Sequence, residues 1–226
     1  MGRLAVILGS NGLGPGGEDV AATAARHGAF VLQRHGGSGG DYTLPHRIDH
    51  VANLRAVVAE GCDRVLAIAS VGSLSEDLAA GSFLCPDDFI ALHVGLSALD
   101  DARAHRAPGF DREWRARVLA AWREADAAEL RDGGVYWQAI GPRFETPAEI
   151  RLMAAHADLV GMTIAAECVV AGDLEVPYAA VCVVDNLANG IGAREISLDE
   201  VERQRSANVV RLRDALDAAL PRLVDA

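Results

Sequence analysis

Cysteine is scarce in this sequence, and its spacing argues against two kinds of site. The four cysteines, Cys62, Cys85, Cys168 and Cys182, form no Cys-x-x-Cys pair. Neither a zinc site nor a disulfide framework is expected, because both usually need cysteines at recurrent, close spacing. We expect reduced and mostly buried thiols, which are typical of a cytoplasmic protein.

Basic residues are also in the minority. The chain has 21 basic residues against 32 acidic ones, which gives a net charge of −11. Because nucleic-acid-binding proteins normally carry the opposite balance, we expect no nucleic acid as a partner. An anionic substrate would have to be held by a local concentration of hydrogen-bond donors, against the field of the whole molecule.

Long apolar segments are absent as well. Half of the residues are hydrophobic, yet no run approaches the roughly 18 apolar residues of a membrane span. The first apolar run, at 3–8, is too short for a secretory signal. We therefore expect no membrane partner, and 226 residues suit a single domain, 1–226, with a substantial core.

Short apolar runs recur along the chain and alternate with helical patterns. Ile48, Val51, Leu54, Val57 and Val58 are spaced for one helical face, and leucines and valines mark a closing helix from Leu198 onward. Continuous apolar strands between helices predict an α/β protein with a central, largely buried sheet. The runs are RLAVIL, GAFVLQ, RVLAIAS, DFIALHV, GVYWQAI, ADLVGM and PYAAVCVV.

Three familiar motifs are matched only in part. GSNGLG at 9–14 is not the Gly-x-Gly-x-x-Gly of dinucleotide-binding folds. Residues 36–40 fit Gly-x-Ser-x-Gly, but they lack the strand, turn and helix of a nucleophile elbow. His46 and His50 stand four positions apart without an accompanying glutamate or third ligand, so no metal site is expected.

Polar residues follow five of the apolar runs, at the strand ends where α/β proteins place their ligand sites. An arginine, a histidine, several hydroxyls and the amides of glycine-rich turns are together what a phosphate dianion requires. The residues concerned are Ser10, Asn11, Arg34, His35, Ser70, Thr163, Asp185 and Asn186.

A second group of residues matches the needs of a purine base. Phe144 and Glu145 lie in the turn GPRFET at 141–146, and Asn186 ends a later apolar run. The aromatic ring offers a stacking face, the carboxylate accepts an N–H, and the carboxamide donates or accepts on the edge of the base.

The stretch 141–186 resembles the trimeric purine nucleoside phosphorylases and their relatives, the 5′-methylthionucleoside phosphorylases. It matches their Gly-Pro-x-Phe-Glu-Thr and Val-Gly-Met-Ser/Thr segments and the following strand that ends in Asn or Asp. RHG at 34–36, LPHRIDHVANLRAV at 44–57 and ASVGSL at 69–74 fit the same family in order. The resemblance covers nearly the whole chain and implies a three-layer αβα domain with a mixed, partly barrel-like sheet.

The resemblance also implies an activity and roles for the residues. The enzyme would cleave a purine nucleoside with inorganic phosphate as co-substrate, without a metal or an organic cofactor. Glu145 and Asn186 would be the catalytic residues, acting on the base, and Met162 would lie against the ribose. The phosphate site would comprise Ser10 or Asn11, Arg34, His35, Ser70 and Thr163, and the base and sugar site would comprise Phe144, Glu145, Met162, Asn186 and Leu198.

The assembly that the resemblance implies is a homotrimer, or a hexamer built as a dimer of trimers. In that family a neighbouring subunit lends a residue to the site from the segment corresponding to 93–115. His93, His105 and Phe110 are the candidates in this chain. Arg143 is expected to be structural or peripheral.

Two positions bear on the substrate. Glu145 accepting N1–H and Asn186 donating to O6 and N7 fit a 6-oxopurine, and adenine-preferring relatives carry an Asp where this chain has Ala188. In relatives that bind a free 5′-hydroxyl, a histidine aligns with Leu198. Ile196 and Leu198 would instead form an apolar wall, which suits a 5′-methylthio group. We therefore expect 5′-methylthioinosine first, then inosine and guanosine, then methylthioadenosine.

The sequence leaves two other functions open. A nucleosidase of the same fold would use water in place of phosphate, and would not need Arg34, His35 and Thr163 together. A non-catalytic purine-binding protein would keep the pocket without the chemistry, and the unusual turn at 9–14 is the feature that favours it.

Overall fold

The computed structural model describes residues 2–10, 16–36, 42–192 and 198–224. Nine strands in these residues form one mixed sheet. They are β1 (Arg3–Leu8), β2 (Phe30–Gln33), β3 (Cys62–Ser73), β4 (Phe83–Cys85), β5 (Asp88–Ile90), β6 (Leu130–Asp132), β7 (Val135–Gln138), β8 (Leu159–Gly161) and β9 (Tyr178–Leu187). The α/β class and the mixed central sheet are thus confirmed.

The long strand β3 is the centre of the sheet. It pairs in parallel with β9 along most of its length and with β1 in its first half, and it meets β8 antiparallel at its end. The strand is buried on both faces over 64–69, as expected for a continuous apolar run inside a three-layer fold. β2 extends the sheet beyond β1, while β4 joins β9 antiparallel.

Helices cover both faces of the sheet, and the buried apolar residues in the described ranges form three clusters. The helices are α1 (Gly17–Arg26), α2 (His50–Ala59), α3 (Arg112–Glu124), α4 (Pro147–Ala154), α5 (Ile164–Asp173) and α6 (Leu198–Val224). α2 and α5 pack on one face, and α1, α3 and α6 pack on the other. This is the three-layer arrangement that the resemblance implied.

Two details of the helical prediction are wrong. Ile48 precedes α2, and Val58 is exposed, so the buried face of α2 is made by His50, Leu54 and Val57. A histidine takes the place of an apolar residue because its ring lies beside a buried carboxylate, described below. The four cysteines are free and buried.

None of the helices in the described ranges is long and apolar enough to cross a membrane.

Candidate active site

A cleft of about 310 Å³ opens at the ends of β1, β2, β3, β8 and β9. Its volume lies at the lower end of the range typical of small-molecule sites. Its walls bring together nine of the residues singled out from the sequence: Ser10, Arg34, His35, Ser70, Phe144, Glu145, Met162, Thr163 and Asn186. Asn11, Ile196 and the side chain of Leu198 lie outside the described residues.

Arg34 follows β2, and its side chain is buried in the wall of the cleft. Its Nη1 donates to Thr163 Oγ1 at 2.9 Å, and its Nη2 donates to the carbonyl of Ile7 at 3.1 Å. Its Nε lies 2.9 Å from Oε1 of Glu167, in an ion pair whose two side chains are each 1% exposed. Since a guanidinium has five N–H groups, these three contacts leave two for a ligand.

Thr163 stands immediately before α5, at a point where the chain turns from β8 into the helix. Its backbone N–H donates to the hydroxyl oxygen of the buried Tyr136, at a distance of 3.1 Å. Because Thr163 Oγ1 accepts from Arg34, the hydroxyl hydrogen remains available to donate into the cleft. The two residues therefore form one unit of donors, suited to an anion.

Glu167 is a buried residue of this unit that the sequence analysis did not identify. Besides Arg34, it contacts Tyr178, whose hydroxyl donates to Oε2 at 2.7 Å. His50 lies on its other side, with Nδ1 3.9 Å from Oε1, and burial lowers the pKa of this histidine. A signal was present in the sequence: one glutamate in the apolar helix IAAECVVAGD needs a buried partner.

The ring of His35 is fixed by two contacts. Nδ1 lies 2.8 Å from the carbonyl oxygen of Thr43, to which it donates, and the ring stacks on Tyr42 at 4.8 Å between centroids. Burial lowers the pKa of His35. The imidazole is therefore neutral near pH 7, with the proton on Nδ1 and an acceptor at Nε2.

Ser70 is tied to the neighbouring strand. Its hydroxyl donates to Oδ2 of Asp185, while the other oxygen of Asp185 accepts from Asn208 of α6 at 2.7 Å. The register of β3 and β9 shifts by one residue here, so that Gly72 faces Asn186 and Asp185 is the extra residue. Such a bulge changes the direction of the side chains beside a site. Asn186, the residue after the bulge, lines the cleft.

The turn 141–146 contributes Phe144 and Glu145 to the cleft. Gly141 has φ of +69°, and a Cβ there would lie 2.6 Å from Sδ of Met162, so a side chain would collide with the predicted ribose contact. The turn ends at Thr146, which caps α4 in a capping box with Glu149.

Glu145 is a buried acidic residue that lines the cleft. Burial raises its pKa, and Oε1 has no hydrogen-bond partner within the described part of the chain. Asn189, which the sequence analysis missed, donates from Nδ2 to the backbone carbonyl of Glu145 at 3.2 Å and holds the turn against the end of β9. A buried oxygen without a partner is costly, which is expected where a ligand supplies the missing donor.

Asn186 points one N–H of its amide to the carbonyl of Leu187, at 2.8 Å. The second N–H and the amide oxygen remain for a ligand. Ala188 is buried and lines the same cleft, at the position where a second carboxylate would be expected for adenine. Phe144, 48% exposed, leaves much of its ring open to a ligand or to solvent.

Several other residues singled out from the sequence lie outside the cleft. Arg143 pairs with Glu149 at 2.8 Å and does not line the cleft. Phe110 is buried and stacks on Tyr178, so it does not reach outward to a neighbouring subunit, whereas His93 and His105 are exposed. Across the described ranges no three His, Cys, Asp or Glu side chains converge as metal ligands would, and this includes the surroundings of His46 and His50.

Comparisons with known proteins identify the family of this chain. The model of the phosphorylase superfamily matches residues 6–221. A probable 6-oxopurine nucleoside phosphorylase of Archaeoglobus fulgidus is 37% identical over 178 residues, covering 79% of this chain and 72% of the relative. A probable S-methyl-5′-thioinosine phosphorylase of Methanothermobacter thermautotrophicus is 34% identical over 207 residues, covering 86% of this chain and 69% of the relative.

A solved structure has the same fold. Methylthioadenosine phosphorylase from Schistosoma mansoni, in complex with adenine, superposes with a TM-score of 0.82 at 20% identity, covering 100% of this chain and 93% of that one. The family match extends from β1 into α6, and so includes every described residue of the cleft. The chain belongs to the phosphorylase superfamily.

Proposed function

We propose that this phosphorylase uses inorganic phosphate to cleave the N-glycosidic bond of a 6-oxopurine nucleoside. The products are the free base and a ribose 1-phosphate. The observation that carries the proposal is the meeting, in one cleft, of a donor pair for an anion, Arg34 with Thr163, and an acceptor and amide for a base, Glu145 with Asn186.

Phosphate binds to the donors at the strand ends. Arg34 offers its two remaining N–H groups and Thr163 its hydroxyl, and Ser10 or Asn11 contributes from the first turn. Ser70, whose hydroxyl is held by Asp185, lines the site from β3. Neutral His35 accepts from a protonated phosphate oxygen at Nε2. Charge-assisted hydrogen bonds of this kind are shorter and stronger than neutral ones, and they position the nucleophile without a metal or an organic cofactor.

The reaction is a displacement at C1′ of the ribose. A phosphate oxygen forms the new bond to C1′ while the bond from C1′ to N9 breaks, and its electron pair passes to the purine. Asn186 donates to the base as negative charge develops there, so its hydrogen bond strengthens in the transition state. Met162 lies against the sugar, and Phe144 covers a face of the base.

The polar groups around the base favour a 6-oxopurine. Ionised Glu145 accepts N1–H with its unpartnered oxygen, and Asn186 donates its one remaining N–H to the O6 and N7 edge of the base. Ala188 offers no carboxylate to a 6-amino group. Both curated relatives described above are named for 6-oxopurine substrates, which supports the same choice.

The substituent at the 5′ carbon is tested by a substrate panel. We expect 5′-methylthioinosine to be used best, then inosine and guanosine, then methylthioadenosine, because Leu198 is apolar where a histidine would read a hydroxyl. Phosphorolysis is measured for three bases, each with a 5′-hydroxyl and a 5′-methylthio group. Leu198→His should improve the use of 5′-hydroxyl substrates relative to methylthio ones, and an unchanged ratio would remove the argument from Leu198.

Phosphate dependence tests the reaction class. Base release should require phosphate, and ribose 1-phosphate or its 5′-substituted analogue should accumulate in equal amount. Turnover that is undiminished without phosphate would identify a nucleosidase. Binding of hypoxanthine without any product at saturating phosphate would identify a purine-binding protein.

The assembly and location belong to the same proposal. We expect a homotrimer, or a dimer of trimers, in the cytoplasm, with His93 or His105 reaching a neighbouring site. Light scattering of the purified protein gives the oligomeric state, and a monomer at assay concentration with full activity would exclude a shared site.

A further inference from the structure

We propose that Glu167, held by Tyr178, is a positioning residue that fixes the guanidinium of Arg34 for phosphate. The proposal rests on the function proposed above and adds two residues that touch neither substrate. Neither Glu167 nor Tyr178 lines the cleft, yet both connect to it through Arg34.

The geometry begins with one turn of α5. Thr163 precedes the helix and Glu167 follows four positions later, and the Glu167 N–H donates to the Thr163 carbonyl at 3.2 Å. Residues spaced by four share a side of a helix, so both side chains meet Arg34 there. Thr163 holds Nη1 at 2.9 Å and Glu167 pairs with Nε at 2.9 Å. The two contacts set the plane of the guanidinium.

Glu167 would not keep its place without Tyr178. The contact between Nε and Oε1 is a short ion pair without hydrogen-bond geometry, so it fixes the direction of the carboxylate less strictly than a hydrogen bond would. The Tyr178 hydroxyl, at 2.7 Å from Oε2, removes that freedom from the opposite side. Burial raises the pKa of Tyr178 well above its usual value, so the phenol stays a neutral donor. Neutral His50 supplies no competing charge.

The position of this chain of contacts gives it a consequence for phosphate. Thr163 and Ile7 each accept one N–H from Arg34, and Nε is buried against Glu167, so only the remaining two N–H groups can reach a ligand. If the guanidinium rotated, the two N–H groups that face the cleft would turn away from it, and others would take their place. Fixing the plane therefore orders the donors before phosphate arrives, which lowers the cost of binding.

Tyr178→Phe is the sharpest test, because it removes one hydroxyl and leaves every charge in place. We expect the KM for phosphate to rise about three- to fivefold while the KM for the nucleoside changes less than about twofold. Glu167→Gln should raise the phosphate KM further, about tenfold, since a neutral amide holds an arginine more weakly. Glu60→Gln, which breaks only an exposed pair with Arg3, is the matched control.

Each result bears on the proposal. Because KM does not depend on the fraction of active enzyme, a partly unfolded preparation still reports the split between the two substrates. A phosphate KM that is unchanged or lower in Tyr178→Phe, or a nucleoside KM that rises in parallel, would overturn the positioning role. Lower phosphate KM in Glu167→Gln alone would mean that the carboxylate acts only by opposing the phosphate charge.

Phosphate binding without nucleoside separates this inference from the proposed function. Titration calorimetry of phosphate into the three variants and the unmodified protein needs no turnover. Weaker phosphate binding in Tyr178→Phe, with no phosphorolysis by the unmodified protein, would sink the function and keep the inference. Phosphorolysis by the unmodified protein, with equal phosphate affinity in all four proteins, would support the proposed function and overturn the inference.

Discussion

The hydroxyl oxygen of Thr163 accepts a hydrogen bond from Nη1 of Arg34 at 2.9 Å, across 129 positions of sequence. Both side chains are buried, and both line the cleft. The contact joins the end of β2 to the start of α5, so the anion site depends on how these two elements pack. It also directs the hydroxyl hydrogen of Thr163 away from Arg34.

Removing that hydroxyl should weaken phosphate selectively. Thr163→Val keeps the shape but loses the donor, and we expect the phosphate KM to rise about tenfold, equivalent to about 1.4 kcal/mol. The nucleoside KM should change less than about twofold. Steady-state kinetics with each substrate varied gives both values. Thr23→Val, a buried threonine of α1 remote from the cleft, is the control, and an equal effect there would contradict the assignment.

Glu145→Gln should separate activity from stability. The ionised carboxylate accepts N1–H of a 6-oxopurine, so its loss should lower kcat/KM for inosine about a hundredfold. Because burial raises the pKa of Glu145, its ionised form is disfavoured in the folded protein, and the melting temperature at pH 7 should not fall. Calorimetry and kinetics test both parts. A clear loss of stability with normal kinetics would refute the role in base binding.

The pH dependence follows from the same residue. With a pKa above the ordinary 4.5, Glu145 gains its proton earlier as the pH falls, and loses its capacity to accept N1–H. Activity toward inosine should therefore decline on the acid side through that raised pKa. The folded state binds the proton more tightly than the unfolded one, so this carboxyl favours folding at low pH and progressively less as the pH rises. Both effects should be absent in Glu145→Gln.

Asn186→Asp should change the choice of base. A carboxylate only accepts hydrogen bonds, so it repels O6 of inosine and receives the 6-amino group of adenosine. We expect the ratio of kcat/KM for inosine to that for adenosine to fall at least about tenfold. Asn53→Asp, on α2 and away from the cleft, should leave the ratio unchanged. An unaltered ratio in Asn186→Asp would defeat the assignment of the base edge.

Gly141→Ala should harm both the fold and the sugar site. Gly141 and Gly61 have φ of +69° and +74°, so alanine is strained at either position. At Gly141 the new Cβ would also lie 2.6 Å from Met162 Sδ, whereas at Gly61 it meets nothing within 4 Å. Urea denaturation should show a larger loss for Gly141→Ala than for Gly61→Ala, by about 1 kcal/mol or more. The nucleoside KM should rise only in Gly141→Ala. Equal losses of stability and equal nucleoside KM values in the two variants would exclude the clash.

Local patterns were enough to predict the strands with long apolar runs. All seven runs contain a strand, but β4 and β6 were missed because Phe83–Cys85 and Leu130–Asp132 do not lie within a longer apolar run. β5 ends at Ile90, earlier than the run 88–94 suggested. Those short strands form because a neighbour supplies hydrogen-bond partners, which is a property of the sheet rather than of the segment.

The site residues divide in the same way. Asn186, near the end of β9, was found from its position after an apolar run, and so was Ser70, although β3 continues beyond it to Ser73. Tyr42 and Asn189 were missed since they lie in loops without a pattern. Glu167 was overlooked because the sequence analysis looked for polar residues at strand ends, although a buried charge within an apolar helix indicates a partner.

The sequence alone determined the α/β architecture and the chemical character of the cleft, because burial periodicity and the residues at strand ends are local properties. Only the tertiary structure decided which groups meet: that Glu167 and Thr163 share Arg34, that Asp185 takes the Ser70 hydroxyl, and that one oxygen of Glu145 is left for a ligand. The physical reason is that hydrogen bonds between distant segments depend on how helices and strands pack together, and no local preference of either segment contains that information.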